Sequence, residues 1–332
     1  MAHEPNSSPS MTDATAPFDD PKADIILRSS DNVDFRCHKL LLSMASTFFE
    51  GMFSLPQPLS EGDHAKKDGL HVVPMEERAL VLETILRLCH PSSIRHPPIM
   101  ELDDIKSTFD AARKYIMEEA EEVLRSRLVS APFLEKKPLR VYVIACALKL
   151  ASEARIAAAA TLEFEVVALE EWDRFPELEY MSMADAVHLQ RYQKDCRKAA
   201  QAITHNIESL LEGYKWFDCE VSTDICKFDD IPGSAGSFAA KWWIDSYLVP
   251  CQRDLQKRPI GQTVMAKDLV IAALVATTVH NCSTCKMTSL AELEAFALCF
   301  GKLIDEATAG VPLNLAWMTP IDKEKSKSQV RD

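Results

Sequence analysis

The chain has 332 residues, of which 47% are apolar and 26% charged, so it can bury a core in two or three structural units. Its formal net charge of −13 argues against a broad nucleic-acid surface, which needs positive potential to displace counterions. The N-terminus lacks the features of a signal peptide, and the longest apolar stretch, Leu269–Val279, is shorter than the about 20 residues that span a bilayer. We therefore expect an intracellular protein, cytoplasmic or nuclear, without nucleic-acid or membrane partners.

The first elements are predicted from changes in apolar periodicity. Residues 1–20 are rich in Ser, Pro, Asp and Thr and are expected to be disordered, because they offer almost nothing to bury. Ile25–Leu27 and Phe35–Cys37 have the patterns of short strands, and Ser29–Asn32 between them has the composition of a turn. From Lys39 onward, apolar residues recur at three- and four-residue steps, which predicts a helix.

A loop, a third strand and further helices are predicted next. Ser54–Gly69 is polar and broken by prolines and glycines, and Leu70–Val73 then has the pattern of a strand. Pro74–Cys89 is predicted to be a helix, whereas His90–Met100 holds three prolines and is expected to be irregular. The apolar stripe from Ile105 to Ile116 predicts another helix.

This order of elements, together with the residues at its turns, resembles the BTB/POZ domain. The residues that carry the resemblance are Phe35, His38, Lys39, Leu42, Ser43, Ser46, Phe49, Met52 and Phe53. The resemblance covers residues 21–130 and implies an α+β fold, a small mixed sheet with clustered helices. It also implies a protein–protein interaction module without catalysis.

Helical patterns dominate the rest of the chain. Residues 131–213 are predicted to form an Ala-rich helical extension, which is similar to the extension of fungal-type BTB proteins. Residues 214–318 hold four of the five tryptophans and six of the ten cysteines and are predicted to form a further helical region. Residues 319–332 are expected to be a flexible tail. The C-terminal region as a whole is therefore predicted to be all-α.

The helix after Lys39 carries the candidate partner-binding residues, which are Met44, Phe48, Phe49, Met52 and Phe53. These are too many large apolar groups for one narrow helix stripe, so some of them are expected to face a partner together with a sheet edge. The alternative is that all five belong to the core. The expected function is self-association or partner docking.

A second function follows from the resemblance alone. Some BTB proteins are substrate adaptors of cullin-type ubiquitin ligases, so a cullin is the alternative partner. In those adaptors a hydrophobic-x-acidic motif often assists, and the corresponding region here, His90–His96, contains no acidic residue.

The cysteines suggest a further alternative, a structural zinc site. Cys282 and Cys285 form a Cys-x-x-Cys pair, which presents two thiolates to one tetrahedral ion. Cys219 and Cys226 are the candidates for the other two ligands, with His280 and Cys251 in reserve. The alternatives are buried thiols in a helical core and an enzyme that uses the Cys-x-x-Cys thiols. Because the nucleotide-binding and hydrolase motifs are absent, no catalytic or cofactor-binding residue is predicted.

Overall fold

A computed structural model describes residues 11–55, 65–90, 101–164, 176–211, 214, 228–233, 238–279 and 282–318. The chain divides into two compact units, Met1–Phe133 and Leu134–Asp332. The predicted tail, 319–332, lies outside the described residues, as do 56–64 of the polar loop and 91–100 of the proline-rich segment.

The first unit contains a five-stranded mixed sheet. Its strands are β1 (Thr12–Asp13), β2 (Ile25–Arg28), β3 (Val33–Cys37), β4 (Lys66–Lys67) and β5 (Leu70–Pro74), in the spatial order β1-β3-β2-β5-β4. Ile26 of β2 pairs with Arg36 of antiparallel β3 and with Val72 of parallel β5. The first three residues of β2 are buried because the strand is central, which explains its continuous apolar run. The predicted pairing of the first two apolar segments is confirmed.

The chain is already ordered before β2. Thr12 of β1 pairs with Val33 in parallel, and the Phe18 side chain is 1% exposed. The Phe18 ring contacts the Phe35 ring edge-on, with 5.4 Å between their centroids. The expectation of disorder for residues 1–20 therefore does not hold for residues 11–20, because one aromatic residue anchors a segment of otherwise polar composition.

A buried carboxylate connects the short edge strands to the centre of the sheet. Asp34 is fully buried and accepts hydrogen bonds from Arg28 Nε at 2.6 Å and from Lys67 Nζ at 2.8 Å. Lys67 Nζ also donates to Asp13 of β1 at 2.6 Å. Burial alone would raise the pKa of Asp34, but the hydrogen bonds from Arg28 and Lys67 outweigh it and lower that pKa.

Helices complete the first unit. They are α1 (Lys39–Ala45), α2 (Thr47–Ser54), α3 (Ala79–Leu88), α4 (Leu102–Lys114) and α5 (Glu118–Leu128), and α6 (Ala131–Lys136) follows across the unit boundary. The predicted helix from Pro74 begins later, at Ala79, because Pro74 still belongs to β5, where it pairs with Arg28. On α4 the predicted stripe is buried at Ile105, Phe109 and Ala112.

The second unit is mostly helical. Its helices are α7 (Pro138–Ala147), α8 (Ala151–Ala160), α9 (Met183–His205), α10 (Glu208–Leu211), α11 (Lys241–Trp243), α12 (Val249–Leu255), α13 (Gly261–Val264), α14 (Lys267–Val279) and α15 (Ser283–Ala309). A π-helical turn, Ile244–Leu248, joins α11 to α12, and Thr161–Glu163 and Pro176–Tyr180 are 3-10 turns.

The prediction of an all-α C-terminal region is wrong in one place. Phe228–Asp230 (β6) and Phe238–Ala240 (β7) form an antiparallel pair inside the region that was predicted to be helical. Gly233 has a φ of 89° and follows Pro232, a combination typical of tight turns. This Pro-Gly signal favours a hairpin over a helix, and it was available in the sequence.

The predicted extension and the Cys/Trp-rich region share one core. Ala200 of α9 belongs to the same buried cluster as Trp243, Tyr247, Phe296 and Phe300, which come from the Cys/Trp-rich region. The Phe296 ring lies edge-on to Trp243, with 5.9 Å between the centroids. Helices α9 and α15 pack against each other within this unit.

One stretch of the described residues, Gly261–Val279, is long and apolar enough to cross a membrane by length and composition. It comprises α13 and α14. Leu269, Val270 and Ala273 on it join the buried core of the second unit.

Candidate protein-interaction surface

The corner between α1 and α2 positions the predicted partner-binding residues. Asp24 Oδ1 accepts a hydrogen bond at 2.8 Å from the Lys39 backbone N–H at the start of α1. Helix α1 ends at Ala45, and Ser46 is extended, with a φ of −153°. Its hydroxyl oxygen accepts from the Phe49 N–H at 3.2 Å and thereby caps α2. The helical phase therefore restarts at Ser46, which breaks the single stripe expected from the sequence.

The restart separates the five predicted residues into different environments. Met44 is 77% exposed and Phe48 is 37% exposed, whereas Phe49 is fully buried. Met52 and Phe53 are half-buried. The structure thus places Phe49 in the core, so it does not belong to the exposed set.

Leu40 was not predicted as a partner-binding residue, but it is 70% exposed. It lies one helical turn before Met44, so the two side chains share one side of α1. The four-residue spacing from Leu40 to Met44 is the signal that could have found it. We call Leu40, Met44 and Phe48 the α1–α2 face.

An aromatic cluster supports this face from behind. The Tyr115 ring stacks on Phe49 with centroids 5.1 Å apart and contacts Phe48 at 5.2 Å. The Ser46 hydroxyl donates to the Tyr115 carbonyl oxygen at 2.5 Å, and the Tyr115 hydroxyl donates to Glu77. Phe48 is therefore held against a packed and hydrogen-bonded base.

Ser46 provides a direct test of this corner. We expect Ser46→Ala to lower the free energy of unfolding of the first unit by about 1–2 kcal/mol, because both the cap of α2 and the bond to Tyr115 are lost. Urea denaturation followed by far-UV circular dichroism measures this loss. Ser54→Ala is the control, since the exposed Ser54 hydroxyl donates only to the Glu50 carbonyl of its own helix. Equal stability of the two variants would contradict the role of Ser46.

Ile116 adds strain next to this cluster. It follows Tyr115 with a φ of 52°, a left-handed conformation that is rare for a β-branched residue, and it is 54% exposed. The end of α4 is hydrogen-bonded in this conformation, because the Ile116 N–H donates to the Arg113 carbonyl at 3.1 Å. Periodicity carries no signal for such a backbone conformation, so it could not be predicted from the sequence.

The sheet edges offer much less surface for pairing. The edge strands β1 and β4 are two residues long each, and β4 consists of Lys66 and Lys67. Short edges with lysines are features that oppose strand addition by another chain. The helical face is therefore the better candidate, and the predicted contribution of a sheet edge has no support in this geometry.

Two polar residues near the start of α1, Asp24 and His38, have separate structural roles. Asp24 accepts from the Lys39 backbone, while His38 Nε2 lies 3.0 Å from Asp20 Oδ2. The hydrogen bonds from the Lys22 backbone and from His38 lower the pKa of Asp20. Each group therefore fixes the chain around the start of α1.

The predicted zinc ligands are only partly within the described residues. Cys282 precedes α15 and Cys285 lies in its first turn, and both are buried, at 2% and 0% exposure. Cys219 and Cys226 lie outside the described residues, as does His280. Among the described residues, no group of three or more His, Cys, Asp or Glu side chains could hold a metal. The four-cysteine site stays a prediction.

Buried cysteines recur in the second unit, four residues after a tyrosine on the same helical segment. The pairs are Tyr142 and Cys146, Tyr192 and Cys196, and Tyr247 and Cys251. Burial raises the pKa of Cys146 and of Cys196 to about 12, and it raises the pKa of Cys251 as well. Such thiols are protonated at neutral pH and are poor nucleophiles.

Comparison with known proteins agrees with this architecture. The family model described as BTB/POZ domain matches residues 19–131, which nearly coincide with the first compact unit, Met1–Phe133. No curated protein matches the chain. BTB/POZ domains are non-catalytic protein–protein interaction modules. The N-terminal part of this chain is therefore a BTB/POZ domain, a mixed sheet with clustered helices, and a mostly helical region follows it.

Proposed function

We propose that this protein associates with another polypeptide through the α1–α2 face of its BTB/POZ domain. The observation that carries the proposal is the exposure of three large apolar side chains at one helical corner: Leu40 at 70%, Met44 at 77% and Phe48 at 37%. A cluster of exposed apolar groups is typical of a protein interaction site.

The packing of Phe48 on the aromatic cluster beneath it supports a binding role for this exposed side chain. Phe48 packs on Tyr115, which is itself stacked on Phe49, so its ring needs little ordering when a partner covers it. Met44 adds an unbranched side chain that adapts to the shape of a partner. The exposed, left-handed Ile116 directly after Tyr115 is the kind of backbone strain that clusters at functional sites.

The surface suits an amphipathic helix of the partner. Leu40 and Met44 are one turn apart, so they form a ridge on α1. The apolar face of a partner helix can pack against this ridge. The Lys39 ammonium lies 5.7 Å from the centre of the Phe53 ring, which puts a positive charge at the edge of this corner. An acidic residue beside the apolar stripe of the partner would complement that charge.

Two narrower functions stay predictions. Self-association through the α1–α2 face is one, since the same apolar groups could cover each other across a two-fold axis. The other is a role as a cullin adaptor. None of the contacts described above is specific for a cullin. The likeness of the helical extension to fungal-type BTB proteins is likewise a prediction.

A single charge on the face tests the proposal. We expect Met44→Asp in the full chain to abolish capture of partners that the unaltered protein retains, because the buried carboxylate would have no counter-charge. Affinity capture after chemical cross-linking, with identification by mass spectrometry, provides the measurement. Sedimentation of the purified chain shows in parallel whether a second copy is the partner.

Met183→Asp is a matched control. Met183 is 74% exposed and begins α9 in the second unit, so its replacement introduces the same charge at an equally exposed methionine. The proposal requires capture to survive in Met183→Asp and to fail in Met44→Asp, with unchanged circular dichroism in both. Equal capture by both variants would exclude the α1–α2 face as the docking site.

A further inference from the structure

A row of basic side chains lies on the exposed side of α9, in the helical unit. Arg191, Lys194 and Lys198 follow one another at three- and four-residue steps and are exposed, with 67% exposure for the Lys198 side chain. Arg197 comes one turn after Lys194 and is half-buried, so it flanks the same side of the helix. We call Arg191, Lys194, Arg197 and Lys198 the basic row.

The row contrasts with the charge of the chain as a whole. Acidic residues outnumber basic ones by 50 to 37, yet four of the eight residues from Arg191 to Lys198 are basic and only Asp195 is acidic. Asp195 Oδ1 accepts a hydrogen bond from Lys198 Nζ at 3.3 Å. Within the described part of the chain, Arg191, Lys194 and Arg197 have no ion-pair partner. The row therefore carries surplus positive charge.

Helix stability does not explain these charges. Like charges three and four residues apart destabilise a helix, and Lys194 stands at such distances from both Arg191 and Lys198. Cations stabilise a helix in its last turn, where they face its free carbonyl groups. Helix α9 continues to His205, about two turns beyond the end of the row. The row therefore indicates a surface at which an anion offsets the repulsion.

The guanidinium group of Arg197 indicates the same anion independently. Its Nε–H is buried and donates to no acceptor among the residues described. Burial lowers the pKa of Arg197. A guanidinium nevertheless stays protonated in proteins, so its partial burial without a counter-charge is unfavourable. An anion bound beside Arg197 would supply that counter-charge and accept the hydrogen bond.

The side chains of the row border a shallow hollow of 370 Å³ along α9. It is lined by Val187, Gln190, Arg191, Lys194, Asp195 and Lys198. A neighbouring cavity of 450 Å³ also borders Arg191, but the carboxylates of Asp195 and Glu306 line it, which makes it a poorer site for an anion. The basic row itself runs for about 10 Å along the helix. It therefore fits an extended anion better than a small enclosed one.

The spacing of the cations indicates the form of this anion. Side chains three and four residues apart on a helix are neighbours, with about 5–6 Å between their Cβ atoms. A partner helix with Glu or Asp at the same steps repeats that spacing, so its carboxylates can meet the cations of the row in register. A carboxylate can also bind the Arg197 guanidinium through two parallel hydrogen bonds.

Nucleic acids and membranes are less suitable occupants. Both are polyanions much longer than the row, so they would also approach the acidic remainder of a chain with a net charge of −13. Single-stranded nucleic acids further require exposed aromatic side chains for stacking, and Tyr192 beside the row is buried. A short acidic helix contacts the row alone, and charges more than about 8 Å from it are largely screened at physiological ionic strength.

We propose that the basic row of α9 binds an acidic helical segment of a partner polypeptide, whose Glu or Asp side chains recur at three- and four-residue steps. Exposed ion pairs are individually weak, so several of them must form together. The dissociation constant is therefore on the order of micromolar or higher, and it rises with salt concentration. This inference does not rest on the α1–α2 face, which lies in the other unit.

Fluorescence anisotropy of a labelled peptide titrated with the full chain tests the proposal. The probe is an Ala-rich helix of about 15 residues with Glu at three- and four-residue steps. We expect binding at low ionic strength, and a dissociation constant that rises at least about tenfold in Lys194→Glu, because like charges would then meet. Lys267→Glu is the matched control: Lys267 is an exposed lysine at the start of α14, and this variant should bind like the unaltered chain. Circular dichroism shows that both variants fold.

A second peptide tests the spacing. It has the same composition, but its Glu residues are consecutive, so they point to different sides of the helix and should bind at least about threefold more weakly. Equal binding of the two peptides would overturn the assignment to a helix in register. Equal binding by Lys194→Glu and Lys267→Glu would overturn the basic row as the site.

Further probes distinguish other occupants. Duplex DNA, or vesicles of phosphatidylserine and phosphatidylcholine, that bind more tightly than the peptide and are lost in Lys194→Glu would overturn the proposal in favour of that polyanion. Sedimentation of the chain that shows a dimer abolished by Lys194→Glu, without peptide binding, would assign the row to a second copy. Failure of the unaltered chain to bind the peptide would overturn this inference and leave the α1–α2 face, which the peptide does not test.

Discussion

Phe49→Ala is expected to lower the free energy of unfolding of the BTB/POZ unit by about 4 kcal/mol, enough to unfold much of a marginally stable domain. Phe49 is fully buried, and its ring stacks on both Tyr115 and Phe53, with centroid distances of 5.1 and 6.1 Å. Removing the ring leaves a cavity beneath α2. Hydrogen exchange of peptides from α2, β2 and β3 locates the effect, and urea denaturation gives its size.

Phe48→Ala is the matched control for this prediction. Phe48 is the neighbouring phenylalanine on the same helix, but it is 37% exposed, so its truncation should cost only about 1 kcal/mol. All five tryptophans lie after residue 171, so tryptophan fluorescence follows the second unit separately in the same samples. Similar destabilisation by the two variants would contradict the assignment of Phe49 to the core and Phe48 to the surface.

Asp34→Asn is expected to destabilise the same unit by about 3 kcal/mol, because it removes the charge that pairs with two cations across the sheet. Asp34 joins Arg28 of β2 to Lys67 of β4, and Lys67 in turn pairs with Asp13 of β1. Asp68→Asn is the control. Asp68 pairs with Arg36 but its side chain is 61% exposed, and surface pairs contribute about 1 kcal/mol or less. Equal effects of the two variants would contradict the role of the buried carboxylate.

The effect of Asp34 depends on pH in a defined direction. Because the pKa of Asp34 is lowered in the folded protein, its charge stabilises the fold fully above the unfolded-state pKa of about 3.9. That contribution is lost as the pH falls through the folded-state pKa. The stability difference between the unaltered chain and Asp34→Asn should therefore be largest near neutral pH and shrink below about pH 3.9. A difference that stays constant into acid would contradict this linkage.

The BTB/POZ fold could be predicted because local pattern and family motif agree. The pattern of a strand is present twice, as a continuous apolar run at Ile25–Leu27 and as alternating apolar and polar residues at Phe35–Cys37. The change to helical spacing at Lys39 coincides with the start of α1. Elements held by one long-range contact were not predictable in the same way. Phe18 is a single aromatic residue in a polar segment, and its packing on Phe35 depends on the assembled sheet.

The candidate surface was predicted only in part, for a reason that lies in Ser46. An uninterrupted helix from Lys39 would place residues on one side at a fixed spacing, but the extended Ser46 resets the phase of α2. This reset moves Phe49 inward and leaves Phe48 outward. Periodicity cannot register such a break, whereas Ser46 itself is the sequence signal for it, because serine is favoured as a helix N-cap.

The buried thiols of the helical unit determine how it responds to oxidants. Cys146, Cys196 and Cys251 remain protonated at neutral pH, so peroxides and alkylating reagents reach them slowly in the folded state. Among the cysteines that the structure describes, Cys299 is the exposed one. Among these described cysteines, electrophilic damage should therefore begin at Cys299 and spare the buried thiols until the unit unfolds.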